Sequence, residues 1–224
     1  MSKYTREHVT VALTGDGGDE LFAGYERFVA ANLAGHYRRL PQPVHNLLEA
    51  LLRRLPESTS YRGFVRRATR FVDGAMSPLL QRYVGWVGLF DRDWLIELLP
   101  SWDPSKVDIY QHLRQHLDPV SELGVTDQLL YLNAKTYLPD DLLVKTDRSS
   151  MAHGLEARCP FLDHVLVEWA GTIPAHLKLR RLRTKSVLKR AAAPYLPKDI
   201  INRPKHGFGL PMGHWFRHDL RPMA

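Results

Sequence analysis

Cysteine is almost missing from this chain: Cys159 is the single thiol in 224 residues. That excludes a disulfide framework and a metal cluster built on cysteines. No apolar run approaches the roughly 20 residues needed to span a bilayer. The opening MSKYTREH has no apolar core of the signal-peptide kind. The expectation is therefore a soluble, cytoplasmic protein with no membrane contact. Internal repeats and low-complexity tracts are missing too, which leaves a length suited to one domain with a sizeable core. Acidic residues are outnumbered, 24 against 31 lysines and arginines, for a net charge of +7. Such a balance suits an anionic partner, either a nucleotide or a nucleic acid.

What is present is most organised at His8 to Tyr25, HVTVALTGDGGDELFAGY. Val9, Val11, Ala12 and Leu13 predict a strand over His8 to Leu13, covered on both faces as in a parallel sheet. Gly15, Gly17 and Gly18 permit a tight turn and close approach of a ligand to the backbone. Asp19 and Glu20 fall where a helix begins, at the end whose dipole stabilises negative charge. In open α/β sheets, ligands bind beyond the carboxyl ends of strands, so this turn leads the candidate sites. It has no lysine of the phosphate-cradling GxxxxGK type and carries Asp16, Asp19 and Glu20 instead. Carboxylates repel a bare phosphate, so a nucleotide here needs a bridging Mg²⁺, with Asp19 as its first ligand. Spacing excludes an EF-hand, because Gly18 stands at the third loop position. Residue types alone leave a second reading open: a strand-to-helix connection with an acidic cap and no chemistry.

Downstream the pattern is helical. Helices are expected over Leu21 to Tyr37, Val44 to Leu55 and Tyr61 to Ala75, with Pro41 and Pro43 ending the first. Arg62, Arg66 and Arg70 share one face of the third, which either meets phosphates or is solvated. Leu79 to Phe90 and Asp91 to Leu99 bring Tyr83, Trp86, Phe90 and Trp94, aromatics at core spacing. Val107 to Leu117 carries His112 and His116 four apart, an exposed pair without a third ligand. Thr126 to Leu138 has Leu129, Leu130, Ala134 and Tyr137 on its apolar side and ends at Pro139. Lys145, Asp147, Arg148, Glu156 and Arg158 then punctuate an apolar segment. Asp147 and Arg148 either contact substrate or join an ion-pair network, and Glu156 and Arg158 are structural. Cys159, beside Pro160, reads as a small core residue. Asp163 caps a helix running through Ala170.

The stretch TGDGGDELFAGYERF resembles the second signature of the synthetase domain in the glutamine-dependent asparagine synthetase family, which also includes β-lactam synthetase. YLPDDLLVKTDRSSMAHGLEARCPFLDHVLVEWA, LKLRRLRTKSVLKRAAAPYLP and INRPKHGFGLPMGHWF are similar to later segments of the same domain. The resemblance implies an α/β fold of the PP-loop ATP pyrophosphatase (adenine nucleotide α-hydrolase-like) type. Here it would be truncated and mostly α-helical, with a remnant of the parallel sheet at the N-terminus. It also implies a chemistry: Mg-ATP adenylates a carboxylate, pyrophosphate leaves, and ammonia attacks the acyl-adenylate to release AMP.

Site roles follow from the same resemblance. Thr14, Gly15 and Gly17 contact the nucleotide, and Asp16 takes an acid/base or intermediate-forming position where many relatives carry Glu. Asp19 and Glu20 bind Mg²⁺. Asp147 and Arg148 contact the substrate carboxylate, aspartate or another small one. Lys205 reaches pyrophosphate. Seven basic residues lie between Lys178 and Arg190, and the TKSVLKRA pattern places the transition-state cation on Lys185. A fixed ammonium there would stabilise the charge that builds on a pentacoordinate phosphorus.

Two family features have no counterpart. The first signature, Ser-Gly-Gly-x-Asp-Ser, does not occur, and residue 2 is Ser where the glutaminase nucleophile is an N-terminal cysteine. The expectation is that residues 1–224 are part of a synthetase domain, inactive alone or completed by a separate N-terminal half, with ammonia supplied by a glutaminase domain elsewhere. Two competing readings remain. One is a non-catalytic basic helical module for nucleic acid or an acidic partner, against which the acidic turn argues. The other is an amidotransferase for a sugar or peptide carboxylate.

Overall fold

The structure is a computed structural model that describes residues 1–55, 64–88, 92–99, 101, 103, 106–203 and 212–223. Arg62, Phe90, Lys205 and the glycine-rich segment 207–211 lie outside the described residues.

Helix α1 (Ser2–Arg6) precedes strand β1 (Val11–Leu13), and the glycine turn leads into α2 (Gly18–Leu21) and α3 (Glu26–Tyr37). Next come α4 (Gln42–Arg54), α5 (Phe64–Ala75), α6 (Leu79–Val87), α7 (Arg92–Leu98) and α8 (Gln111–Leu117). Helix α9 (Val125–Lys135) is followed by a wide π-type turn, Leu138–Leu143, that runs into α10 (Val144–Met151). Strand β2 (Glu156–Arg158) leads to α11 (His164–Thr172), α12 (Ala175–Lys178), α13 (Ser186–Ala192), α14 (Lys198–Ile201) and α15 (Met212–Arg217). The described residues are thus mostly helical with one small parallel sheet, as expected.

In that sheet Val11, Ala12 and Leu13 stand opposite Glu156, Ala157 and Arg158. Two flanking bonds extend the ladder, Glu156 N–H to the Thr10 carbonyl at 2.9 Å and Thr14 N–H to the Arg158 carbonyl at 2.8 Å. The strand is shorter and less covered than its apolar run predicts. Val9 is 44% and Leu13 74% exposed. Among the described residues β1 has one strand neighbour only, so neither face acquires the cover of a multi-stranded parallel sheet.

Two helix boundaries also differ from expectation. The helix foreseen over Leu21 to Tyr37 is interrupted at residues 22–25, where Ala23 adopts a left-handed conformation at φ 55°. Pro139 does not end the helix before it. That helix stops at Thr136 (φ −127°, ψ −77°), and Pro139 sits at the start of the π-type turn, where its missing N–H costs nothing.

The chain forms two compact units, 1–40 with 73–190, and 41–72 with 191–224. In the second, α4 buries His45. In the first, Ala23, Phe28, Ala31, Tyr83, Leu129, Leu130, Leu132 and Leu179 make one core cluster. A second cluster joins Leu21 and Phe22 to Ala170 and Ile173, with Phe161, Val167, Val187 and Leu188 packed around it. Tyr83 and Trp86 take the core positions foreseen for them, whereas Trp94 is 58% exposed on its short helix. No helix among the described residues is long and apolar enough to cross a membrane.

Three tyrosines, one buried and two half-buried, set an alkaline limit. Burial raises the pKa of Tyr25, Tyr83 and Tyr137 above the ordinary 10.0, with a hydrogen bond to Glu20 adding to the effect at Tyr25. These phenols stay protonated in the folded chain while the unfolded chain ionises. The unfolded state then binds fewer protons, so stability is level below pH 10 and falls above it. Urea midpoints between pH 8 and 11 should show that decline. A flat profile would contradict the burial.

Candidate active site

The site begins where β1 ends. Thr14 and Cys159 each follow directly on a strand, so parallel pairing sets them side by side, with Thr14 Oγ1 3.1 Å from Cys159 Sγ. Thr14 Oγ1 donates to Asp16 Oδ2 at 3.0 Å. Its one proton is then committed, which makes the Cys159 thiol the donor to the Thr14 oxygen. Thr146 on α10 donates to the same Asp16 oxygen at 3.2 Å. Cys159 is thus half-buried and hydrogen-bonded at the strand end, a more polar setting than its apolar neighbours suggest.

The turn itself is held by packing. Gly17 has φ 90°, and a Cβ there would stand 2.3 Å from Leu162 Cδ2. Gly17 and Gly18 are buried under Phe161 and Leu162, so the segment after Cys159 forms the floor of the turn. Only Gly15 is exposed, with nothing within 4 Å of the space a side chain would fill. The geometry gives Gly17 a steric duty and leaves Gly15 as the glycine a ligand can approach. Gly15→Ala should cost under about 0.5 kcal/mol of stability while weakening the binding of any ligand that approaches the turn there, ATP being the ligand to titrate. Calorimetric titration beside a urea melt separates the two effects. An unchanged affinity would remove Gly15 from the site.

The two adjacent carboxylates of α2 diverge. Asp19 Oδ1 forms an ion pair with Lys185 Nζ at 2.8 Å, and both side chains are less than a third exposed. Glu20, 2% exposed, turns into the core and accepts from the Tyr25 hydroxyl. Arg27 stacks on the Tyr25 ring at 3.8 Å and lies 4.7 Å from that of Tyr137. Its Nη2 donates to Asn133. Glu20 is thereby engaged in joining α2 to α3, and Asp19 is the carboxylate presented to the turn.

Lys185 is fixed by its backbone. It has φ 54°, and its N–H donates to the Phe22 carbonyl at 3.2 Å, while its carbonyl receives the Lys189 N–H at 2.8 Å. A non-glycine residue held left-handed costs on the order of 1 kcal/mol or more, and persists where surrounding contacts impose it. Ala23, left-handed too, follows that same Phe22. Gly24 closes the arrangement: a Cβ there would stand 1.7 Å from Asp19 Oδ1 and 2.4 Å from Lys185 Cε. The linear sequence does not mark Gly24, because its part in the site depends on Lys185 passing over it.

The remaining candidates are dispersed. Asp147 and Arg148 are exposed on α10 and form no ion pair among the described residues. In the charged segment only Glu156 and Arg158 pair, at 2.7 Å on one face of β2, so the wider ion-pair network does not form there. His112 and His116 meet edge to face with centroids 5.1 Å apart, and no metal-holding group of three such residues occurs among the described ones. Asp163 caps α11 as foreseen, its Oδ1 accepting from Val165 and Leu166 N–H at 3.0 and 3.3 Å. The basic stretch hides one cation, Lys178, which is 3% exposed. Burial pushes its ammonium below the ordinary value, and Asp127 partly offsets this.

These donors suit a phosphate-bound dication better than a metal held by protein alone. Mg²⁺ bound with a nucleotide takes one or two carboxylates and fills its octahedron with phosphate oxygens and water. Asp19 supplies one carboxylate, with the Lys185 ammonium beside it and open space at Gly15.

A model of the asparagine synthase family matches residues 1–224. The glutamine-hydrolysing asparagine synthetase 1 of Bacillus subtilis is 30% identical over 220 residues, covering 98% of this chain and 34% of that protein. A third synthetase of the same species is 44% identical over 78 residues, which cover 35% of this chain and 12% of that protein. The amidase chyE of Penicillium rubens is 27% identical over 230 residues, covering 92% of this chain and 33% of that protein. This chain therefore spans about a third of the length of the relatives that it matches along most of its own length. No solved structure gives a significant match.

Proposed function

The chain belongs to the asparagine synthase family, and from that premise we propose that it takes part in ATP-dependent amidation of a carboxylate, with aspartate as the acceptor and ammonia as the nitrogen source. The observation that carries the reading is the Asp19–Lys185 pair at the carboxyl end of β1. A nucleic-acid surface has no use for a carboxylate there. Asp19, with Thr14 and Gly15 beside it, would hold the nucleotide through Mg²⁺, which neutralises phosphate charge when bound. Glu20 supports that helix from the core side.

In the free chain Lys185 and Asp19 neutralise each other. Asp19 would be the carboxylate that holds a nucleotide-bound dication, and the Lys185 ammonium beside it would stabilise negative charge developing at phosphorus. Asp16, which accepts from Thr14, is proposed to take or pass a proton. Asp147 and Arg148, exposed on the helix that carries Thr146, are proposed to meet the acceptor carboxylate, and Lys205 the leaving pyrophosphate. A second reading is amide formation on a different carboxylate, of a sugar or a peptide; one relative carries the name amidase and not asparagine synthetase.

Residues 1–224 are proposed to supply part of a synthetase domain, corresponding to about a third of a relative's length, with ammonia as the attacking nitrogen. The test is pyrophosphate release with Mg-ATP, ammonium and aspartate, in the purified chain and in the chain mixed with a relative's N-terminal half. Turnover that needs aspartate and disappears in Asp19→Ala supports the reading. Binding of polyanions that ignores Asp19→Ala and falls steeply with salt, without turnover in either setting, would replace it with the basic-module reading.

A further inference from the structure

Asp16 is held by donors from two distant parts of the chain. Thr14 Oγ1 donates to Oδ2 at 3.0 Å, and Thr146 Oγ1, 130 positions away, donates to the same oxygen at 3.2 Å. The two hydroxyls arrive by independent routes. Thr14 continues β1, and its own oxygen is fixed from the other side by Cys159, which continues β2. Thr146 stands on α10, the helix that feeds β2. Asp16 lies on a turn and has no intervening helix of its own to restrain its torsions. With one donor the carboxylate could swing about χ1 and χ2 while keeping that bond. With two donors on one oxygen from different directions, it cannot.

We propose that Thr146 is a positioning residue for Asp16: its hydroxyl locks Oδ2 and leaves Oδ1 as the oxygen that meets the reacting group. This rests on the assignment of Asp16 to the chemical step. The arrangement also accounts for the shorter side chain. An aspartate has one fewer rotatable bond than a glutamate, so two hydroxyl donors suffice to fix it. Neither donor is charged, and among the described residues Asp16 forms no ion pair.

The test compares Thr146→Val, which keeps the shape and loses the donor, with Thr146→Ser, which keeps the donor and loses the methyl. In the complemented synthetase assay, Thr146→Val should lower kcat by 10-fold to 10²-fold, the size of penalty that misplacement by about an ångström brings. KM for ATP should stay within twofold, and Thr146→Ser should restore most of the rate. An activity-independent readout accompanies it: the carboxyl ¹³C resonance of Asp16, assigned with Asp16→Asn, should move in Thr146→Val and return in Thr146→Ser. A resonance that does not move, or a serine variant as slow as the valine one, overturns the proposal. If the unaltered chain forms no amide in any mixture, the functional reading fails, and the resonance still decides whether Thr146 holds Asp16.

Discussion

Lys185→Met is expected to slow pyrophosphate release by ~10²–10³-fold, the usual loss when one preorganised charge-stabilising donor is removed. The 2.8 Å pair with Asp19 holds the ammonium, and the bonds from the Lys185 N–H to Phe22 and from Lys189 to the Lys185 carbonyl hold the backbone that carries it. Methionine keeps the length and apolar body of the side chain, so little is lost except the charge. The pair is partly screened, with side-chain exposures of 28% and 19%. Its loss should therefore cost about 1–2 kcal/mol, between the values for exposed and buried pairs. A rate loss so much larger than the stability loss would mark the ammonium as part of the chemistry. Lys185→Arg sharpens the point, because a planar guanidinium keeps the charge but not the compact geometry. A methionine variant within twofold of the parent rate would show that the pair is structural only.

Gly24→Ala carries the second large effect, and it acts on both side chains of that pair at once. The added methyl would fall 1.7 Å from Asp19 Oδ1, 2.7 Å from Asp19 Cγ and 2.4 Å from Lys185 Cε. No rotation of one side chain relieves all three contacts, and the backbone cannot retreat freely because the Gly24 N–H is bonded to the Asp19 carbonyl at 2.8 Å. Overpacking of this kind costs about 1–3 kcal/mol, and the ion pair must open. Activity should fall at least as far as in Lys185→Met. Because much of the clash is with the Asp19 carboxylate, the effects should not add. In an Asp19→Ala background the same Gly24→Ala change should cost less than half as much, a coupling that urea midpoints of the four proteins in a double-mutant cycle would measure. Full additivity would place the strain elsewhere.

These two residues show how differently parts of the site could be read from sequence. Lys185 was reachable because a pattern of neighbours, TKSVLKRA, marks it. Gly24 was not, since nothing in a linear reading says that Lys185 passes over it. The same holds for Thr146, which looks like one hydroxyl among many in a charged segment. Its meaning depends on Asp16 being 130 positions away and within 3.2 Å. The strand was overestimated for a related reason. An apolar run states what a segment would bury, and the neighbours available to cover it decide what is buried.

The sequence by itself determined the features whose physics is short-ranged. These are a glycine-permitted acidic turn after a strand, the Asp163 cap satisfied within three residues, the helical spacing of the leucines in α9, and the lack of any cysteine framework. Only the tertiary structure decided which of two adjacent carboxylates does which task. Successive residues of a helix point about 100° apart, so Asp19 and Glu20 cannot share a direction. One faced the loop that delivers Lys185, and the other faced a core where the Tyr25 hydroxyl supplies the hydrogen bond a buried carboxylate requires.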